Sequence, residues 1–159
     1  MITGYRIVKE RLLDSAFDGE GAKRYGGRWN SRGKRCVYLA ESISLALLEV
    51  LVHLDDARVL AGYRILSVNF KPKLLMNLAE DALPEDWSAN PAPISTAFVG
   101  DAWLDSQASA VLAVPSAIVP LEHSFLLNPA HPDAHAVIES ADVLDLAADA
   151  RLQGFKRQS

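Results

Sequence analysis

The sequence predicts a mixed α+β fold, and three observations carry that prediction. Residues 3–8 and 60–70 place apolar residues in the alternation of half-buried strands, while residues 42–54 repeat them at helical spacing. Several short apolar runs end at prolines, as buried strands do. The chain has 159 residues, of which 50% are hydrophobic and 23% charged. A chain of that length buries roughly 70% of its unfolded surface, enough for a core without metal or disulfide support. The expectation is one domain spanning residues 1–159, with its core at about 5–152.

Residues 3–8 (TGYRIV) read as the first strand. The stretch 18–34 follows, with Gly19, Gly21, Gly26, Gly27 and Gly33 among many charges. It is too polar for core and too rich in glycine for helix, so it is expected as a loop. Residues 36–39 (CVYL) read as a strand. In the helix at 42–54, Ser42 or Ser44 caps the start, and Ile43, Leu47, Val50, Leu51 and Leu54 share a face. The strand at 60–70 stops at Pro72, and the Pro-rich stretch 83–93 is a connection. A short helix is expected at 96–104, anchored by Phe98 and Trp103. Strands are expected at 110–114 and 125–127, closed by Pro115 and by Asn128-Pro129. After Pro132 the composition favours helix, although Val137 and Ile138 also suit a strand.

Charge is distributed unevenly. Residues 1–73 hold 13 Lys/Arg against 8 Asp/Glu, whereas residues 74–150 hold 12 acids and no Lys or Arg. The net charge is −4, and the densest basic stretch, 23–35, suits a small phosphorylated ligand better than a duplex. Cys36 is the lone cysteine, which excludes a disulfide framework and fits a reducing compartment. No apolar run approaches the roughly 18 residues of a membrane span, and the charged first twenty residues do not resemble a signal peptide. A soluble, cytoplasmic protein is expected.

Three residues stand out chemically. Glu49 lies in ALLEVLVHL, where an unpaired carboxylate is costly to bury. His53 is four residues on, on the same helical face. Either the two look into a cleft or they form the wet stripe of an amphipathic helix, and the spacing fits both. A metal is not indicated, since no third ligand stands at useful spacing and HExxH is absent. Arg28, in GGRWNSRG, follows two glycines that permit close backbone approach, and an arginine so placed can grip a phosphate through two N–H groups. Ser116, in VPSAIVP, follows a strand end but lacks the GxSxG elbow of a serine hydrolase. Asn128, His131 and Asp133 come from NPAHPD; a His and an Asp two residues apart rarely join a Ser in a triad.

Taken together, GGRWNSRGKRCVYLAESISLALLEVLVHL, GDAWL and AVLAVPSAIVPLEHSFLLNPAHPD resemble the RES domain, named for its Arg, Glu and Ser signature. Its members are toxins of bacterial toxin–antitoxin pairs. Arg28, Tyr38, Glu49, Ser116 and Asn128 fall in order at the family's motif positions. Where the family often has Asn, this chain has His123 or Ser124, and no role is assigned there. The resemblance implies a fold similar to diphtheria-toxin-type ADP-ribosyltransferases, a small split β-sheet with flanking helices. It also implies cleavage of the nicotinamide–ribose bond of NAD+, with NAD+ as substrate, no cofactor and inorganic phosphate as a candidate co-substrate.

On that resemblance Arg28, Tyr38, Glu49 and Ser116 are the catalytic candidates. Glu49 stabilises charge on the ribose, Arg28 holds pyrophosphate or phosphate, and Tyr38 lines the nicotinamide pocket. Ser116 and Asn128 orient the ribose or the leaving amide, and Trp29 and Arg32, with Arg24 and Tyr25, are further binding candidates in the same loop. The implied partner is an Xre-type antitoxin with a helix-turn-helix and a toxin-binding C-terminal region; the toxin itself contacts neither DNA nor membrane. A homodimer within a hetero-oligomer stays open. So do phosphorolysis, hydrolysis and ADP-ribosyl transfer, and a binding module without turnover.

Overall fold

The computed structural model describes residues 1–54, 57–147, 149 and 151, with the side chains of 57–59 excepted. The expected C-terminal limit at Leu152 lies outside the described residues. Seven strands form one mixed sheet: β1 (Ile2–Lys9), β2 (Val37–Ala40), β3 (Tyr63–Phe70), β4 (Leu75–Asn77), β5 (Val111–Pro115), β6 (His123–Leu127) and β7 (Asp142–Leu144). The helices are α1 (Glu20–Tyr25), α2 (Ile43–Leu51), α3 (Ile94–Ser106) and α4 (Ala134–Glu139). The sheet order is β4-β5-β6-β2-β1-β3-β7, antiparallel throughout except for the parallel β4/β5 edge.

The sheet is split at its centre. β1 pairs with β3 along its whole length, Ile2 to Phe70 through Lys9 to Tyr63, and β2 pairs with β6 from Val37 to Ala40. Between β1 and β2 the register holds only Tyr5 opposite Ala40. Where those strands diverge, Arg6 takes over, its Nη1 donating to the Tyr38 carbonyl at 3.0 Å. A side chain here replaces a ladder hydrogen bond that the splayed backbone no longer makes. Burial pushes the Arg6 guanidinium below its usual range, and its Nε is buried without a partner.

Alternation along the strands builds two faces. On one, Val37, Leu39, Val68, Phe70, Phe125 and Leu127 pack against Ala134 and Val137 of α4. Phe70 and Phe125 meet edge to face, with centroids 5.5 Å apart. On the other, Ile7, Ala40 and Ile65 receive Leu45 and Ala46 of α2. Beside them Trp29, Leu112, Val114 and Leu126 receive Trp103 and Leu104 of α3. α2 and α3 therefore lie on one face, with Tyr38 on the same side of β2.

Several expectations need correction. The stretch 18–34 is not all loop, since Ala22, Lys23 and Arg24 are good helix formers. The glycines punctuate α1 rather than break it, with Gly19 and Gly26 both at φ 73° at its ends. α2 begins at the cap expected, the Ser42 hydroxyl accepting the Leu45 N–H, but ends at Leu51 rather than 54. β3 starts at Tyr63, after a 3-10 turn at Ala57–Gly62. α3 runs longer than expected, and of its two expected anchors Trp103 is buried while Phe98 is 60% exposed. The ambiguous stretch after Pro132 resolves as helix α4 followed by the edge strand β7.

Candidate active site

The loop 26–34 and helix α3 form one unit. Tyr38, on β2, points its hydroxyl into the loop, where it accepts the Trp29 N–H at 3.0 Å and donates to Asn30 Oδ1 at 2.6 Å. Asn30 is buried, and its Nδ2 donates to the carbonyls of Ala22, Ser31 and Lys34. A Cβ on Gly27 would stand 2.5 Å from the Tyr38 hydroxyl, so only glycine fits there. α3 grips the same loop along one face. The buried Thr96 hydroxyl donates to the Arg28 carbonyl at 2.6 Å. At Gly100 a Cβ would collide with the Trp29 carbonyl. Asp101 accepts the Ser31 N–H at 2.8 Å and its hydroxyl at 2.5 Å. Residues 96, 100 and 101 share a helical face.

Arg28 emerges from this fixed loop. Its Nη1 donates to the carbonyls of Trp87 at 2.9 Å and Ala89 at 2.8 Å, which ties the guanidinium to the connection between β4 and α3. Opposite, half-buried Glu49 on α2 receives the Ser116 hydroxyl on Oε1 at 3.3 Å. Ser116 is 1% exposed, and its Oγ also accepts the N–H groups of Ile118 and Val119. The hydroxyl both shapes the turn after β5 and carries its proton to the carboxylate. Burial raises the Glu49 carboxyl above its ordinary value, while the Ser116 hydrogen bond and the charges of His53 and Arg28 draw it down. Burial likewise holds the Tyr38 phenol far above its usual range, so it stays protonated at every physiological pH. What results is a half-buried carboxylate that accepts the Ser116 hydroxyl and feels the Arg28 charge.

Ser116 and Glu49 thus touch, and the Arg28 charge acts on both Glu49 and Tyr38. The Trp29 ring and Asn128 stand apart from them. Trp29 is 2% exposed, its ring packed with Trp103 and Leu112, so it is a core anchor and not a ligand contact. Asn128 follows the far end of β6 from Ser116, its Nδ2 on the Leu104 carbonyl and its Oδ1 on the Ala130 N–H, where it ties α3 to a turn. Arg32 is exposed, as are Arg24 and Tyr25, whose guanidinium and ring stack at 5.4 Å. His131 sits at that same far end, on the Gln107 carbonyl. Among the described residues no cluster of His, Cys, Asp or Glu could hold a metal.

The RES domain family matches residues 3–149, nearly the whole chain. This chain belongs to the RES domain family. Toxin Res of Yersinia enterocolitica serotype O:8 is 42% identical over 149 residues, 94% of this RES chain and 98% of that protein. Toxin Res of Photorhabdus laumondii is 41% identical over 153 residues, again covering 98% of that protein. The Prs ADP-ribosylating toxin of Sphingobium sp. strain YBL2 is 42% identical over 139 residues, 84% of this chain and 86% of that protein. In fold, the RES chain is similar to the crystal structure of the M. tuberculosis MbcT–MbcA toxin–antitoxin complex. The TM-score is 0.65, over 79% of this chain and 72% of that one, at 22% identity. The split sheet with flanking helices is the architecture the resemblance led one to expect.

Sequence reasoning gave no role to Asn30, Thr96, Gly100 or Asp101. The spacing of the last three, four and five residues apart on a helix, was the available signal.

Proposed function

We propose that this RES toxin depletes NAD+ by breaking its nicotinamide–ribose bond. Its role as the toxin of a toxin–antitoxin pair is carried by full-length relatives named as toxins. The chemistry rests on one observation: Glu49, in a partly desolvated cleft, is held by Ser116 and faced by Arg28. Nicotinamide leaves as a neutral molecule, so the reaction needs no strong general acid. Positive charge grows on the ribose, and a carboxylate fixed beside it stabilises the transition state. Ser116 occupies Oε1, which directs Oε2 to the sugar. A preorganised group of this kind contributes about 3–4 kcal/mol, or roughly 10²–10³ in rate.

Arg28 has Nη1 committed to the Trp87 and Ala89 carbonyls, so Nη2 and Nε are the N–H groups that meet the pyrophosphate. Tyr38 has its hydroxyl committed to the loop, so it offers the nicotinamide its ring and not a hydrogen bond. The acceptor decides the outcome, with phosphate giving phosphorolysis and water giving hydrolysis. A second reading, ADP-ribosyl transfer to an acceptor, draws support from the relative named an ADP-ribosylating toxin. The partner in this reading is an Xre-type antitoxin with a helix-turn-helix, whose C-terminal region enters the Arg28–Glu49 cleft and blocks substrate access.

The test is NMR of NAD+ incubated with purified protein, with and without inorganic phosphate. Nicotinamide release supports the reading, and a phosphate-dependent sugar product then selects phosphorolysis over hydrolysis. NAD+ left intact by the folded, antitoxin-free protein, with or without phosphate, contradicts it.

A further inference from the structure

One concavity is lined by Trp87, whose carbonyl holds Arg28, and by Pro115, the neighbour of Ser116. It lies at the β4/β5 edge of the sheet and encloses about 280 Å³. That is near the lower end of the roughly 300–1,000 Å³ of ligand pockets, and suits one ring system rather than a whole dinucleotide. Its apolar walls are Leu83, Trp87, Pro115 and Pro120, and Asn77, Glu80 and His123 supply polar groups, the His123 ring lying 3.6 Å from the Glu41 carboxylate. The two segments that bracket it are those that build the site. Trp87 lines it with its side chain exposed only in part while its carbonyl takes Arg28 Nη1, and Pro115 immediately precedes Ser116.

Its chemistry is unlike that of a phosphate site. No Lys or Arg lines it, and residues 74–150 contain none to bring. An anionic group would meet Glu80. A flat apolar ring bearing an amino group would instead find the Trp87 indole and two prolines as walls, and the Glu80 carboxylate as acceptor. Because Trp87 both lines the cavity and accepts Arg28 Nη1, a ligand whose pyrophosphate meets Arg28 has this cavity next to it.

We infer that this cavity binds the adenine ring of the dinucleotide, an inference that rests on NAD+ being the substrate. The cavity then makes the toxin prefer the dinucleotide over nicotinamide mononucleotide, which carries the same scissile bond but no adenylate.

Ala79 is exposed at the cavity wall, so Ala79→Phe fills the space without entering the core. The ratio of kcat/KM for NAD+ over nicotinamide mononucleotide is expected to fall at least tenfold in Ala79→Phe. Glu80→Gln, at a second exposed position, should lose discrimination between NAD+ and its hypoxanthine analogue, which has no amino group. An unchanged ratio in Ala79→Phe together with unchanged discrimination in Glu80→Gln overturns the assignment. Calorimetric titration with AMP decides the subsite even if NAD+ is not cleaved. Binding to the wild type that weakens at least tenfold in Ala79→Phe supports it, and equal or absent binding refutes it. Failure of NAD+ cleavage alone strikes the proposed reaction and leaves the AMP result to judge the cavity.

Discussion

Burial drives the Glu49 carboxyl towards its protonated form, while Ser116, His53 and Arg28 favour the ionised one. Because the folded value is raised, protonated Glu49 favours the fold at low pH, and that advantage is lost as pH rises through the raised value. At neutral pH the ionised group therefore works against stability. Glu49→Gln is accordingly expected to melt at or above the wild-type temperature at pH 7, a comparison that differential scanning calorimetry makes directly. Wild-type turnover, which needs the carboxylate, should fall on acidification at a pH above the ordinary glutamate range, read from a pH–rate profile. Arg28→Ala should raise the KM for NAD+ and also free the 87–89 turn, visible as altered chemical shifts there. At this scale the sequence was legible where a residue was anomalous in its context, as Glu49 was among leucines. Asn30 was not legible. An asparagine in a glycine turn is commonplace, and its importance comes from carbonyls at 22, 31 and 34 that only the folded loop brings together.

Helix α3 acts on the proposed site through the loop that carries Arg28. Thr96, Gly100 and Asp101 hold the backbone that carries Arg28. Removing the Asp101 carboxylate leaves the Ser31 N–H without its partner, and hydrogen bonds to charged groups contribute about 1.5–3 kcal/mol. Asp101→Ala should lower the urea midpoint by that order and raise KM more than it lowers kcat, since the loop positions Arg28 rather than Glu49. Gly100→Ala should be the more damaging, because even one methyl meets the Trp29 carbonyl; loss of cooperative unfolding is the readout. Patterning gave α2 and the long strands because one face of each is buried. It missed α1 because glycine at a helix end and glycine in a loop look alike until φ is known. It misjudged Phe98 because an apolar residue in a helix is not obliged to face the core.

For the molecule as a whole, the defining feature is the split between β1 and β2, beside which Tyr38 lies. Within the sheet, one residue pair and the Arg6–Tyr38 hydrogen bond link β1 to β2, while α2 and the Phe70–Phe125 pair pack across the divide. Fold class could be read from alternation, helical spacing and proline punctuation. The split could not, because it depends on where two strands stop pairing, and only the family resemblance suggested it. The charge distribution predicts that the chain alone does not bind DNA, since 12 acids and no Lys or Arg occupy residues 74–150. A gel-shift assay near physiological salt should show no retarded duplex, and a retarded band would contradict that reading.

The central claim is that the Glu49 carboxylate drives nicotinamide release from NAD+. Wild type and Glu49→Gln, both shown to be folded, are incubated with NAD+ and free nicotinamide is followed by NMR. The account predicts release by the wild type and a rate about 10²–10³ lower in the variant. Equal rates, or no release by the wild type, would contradict it.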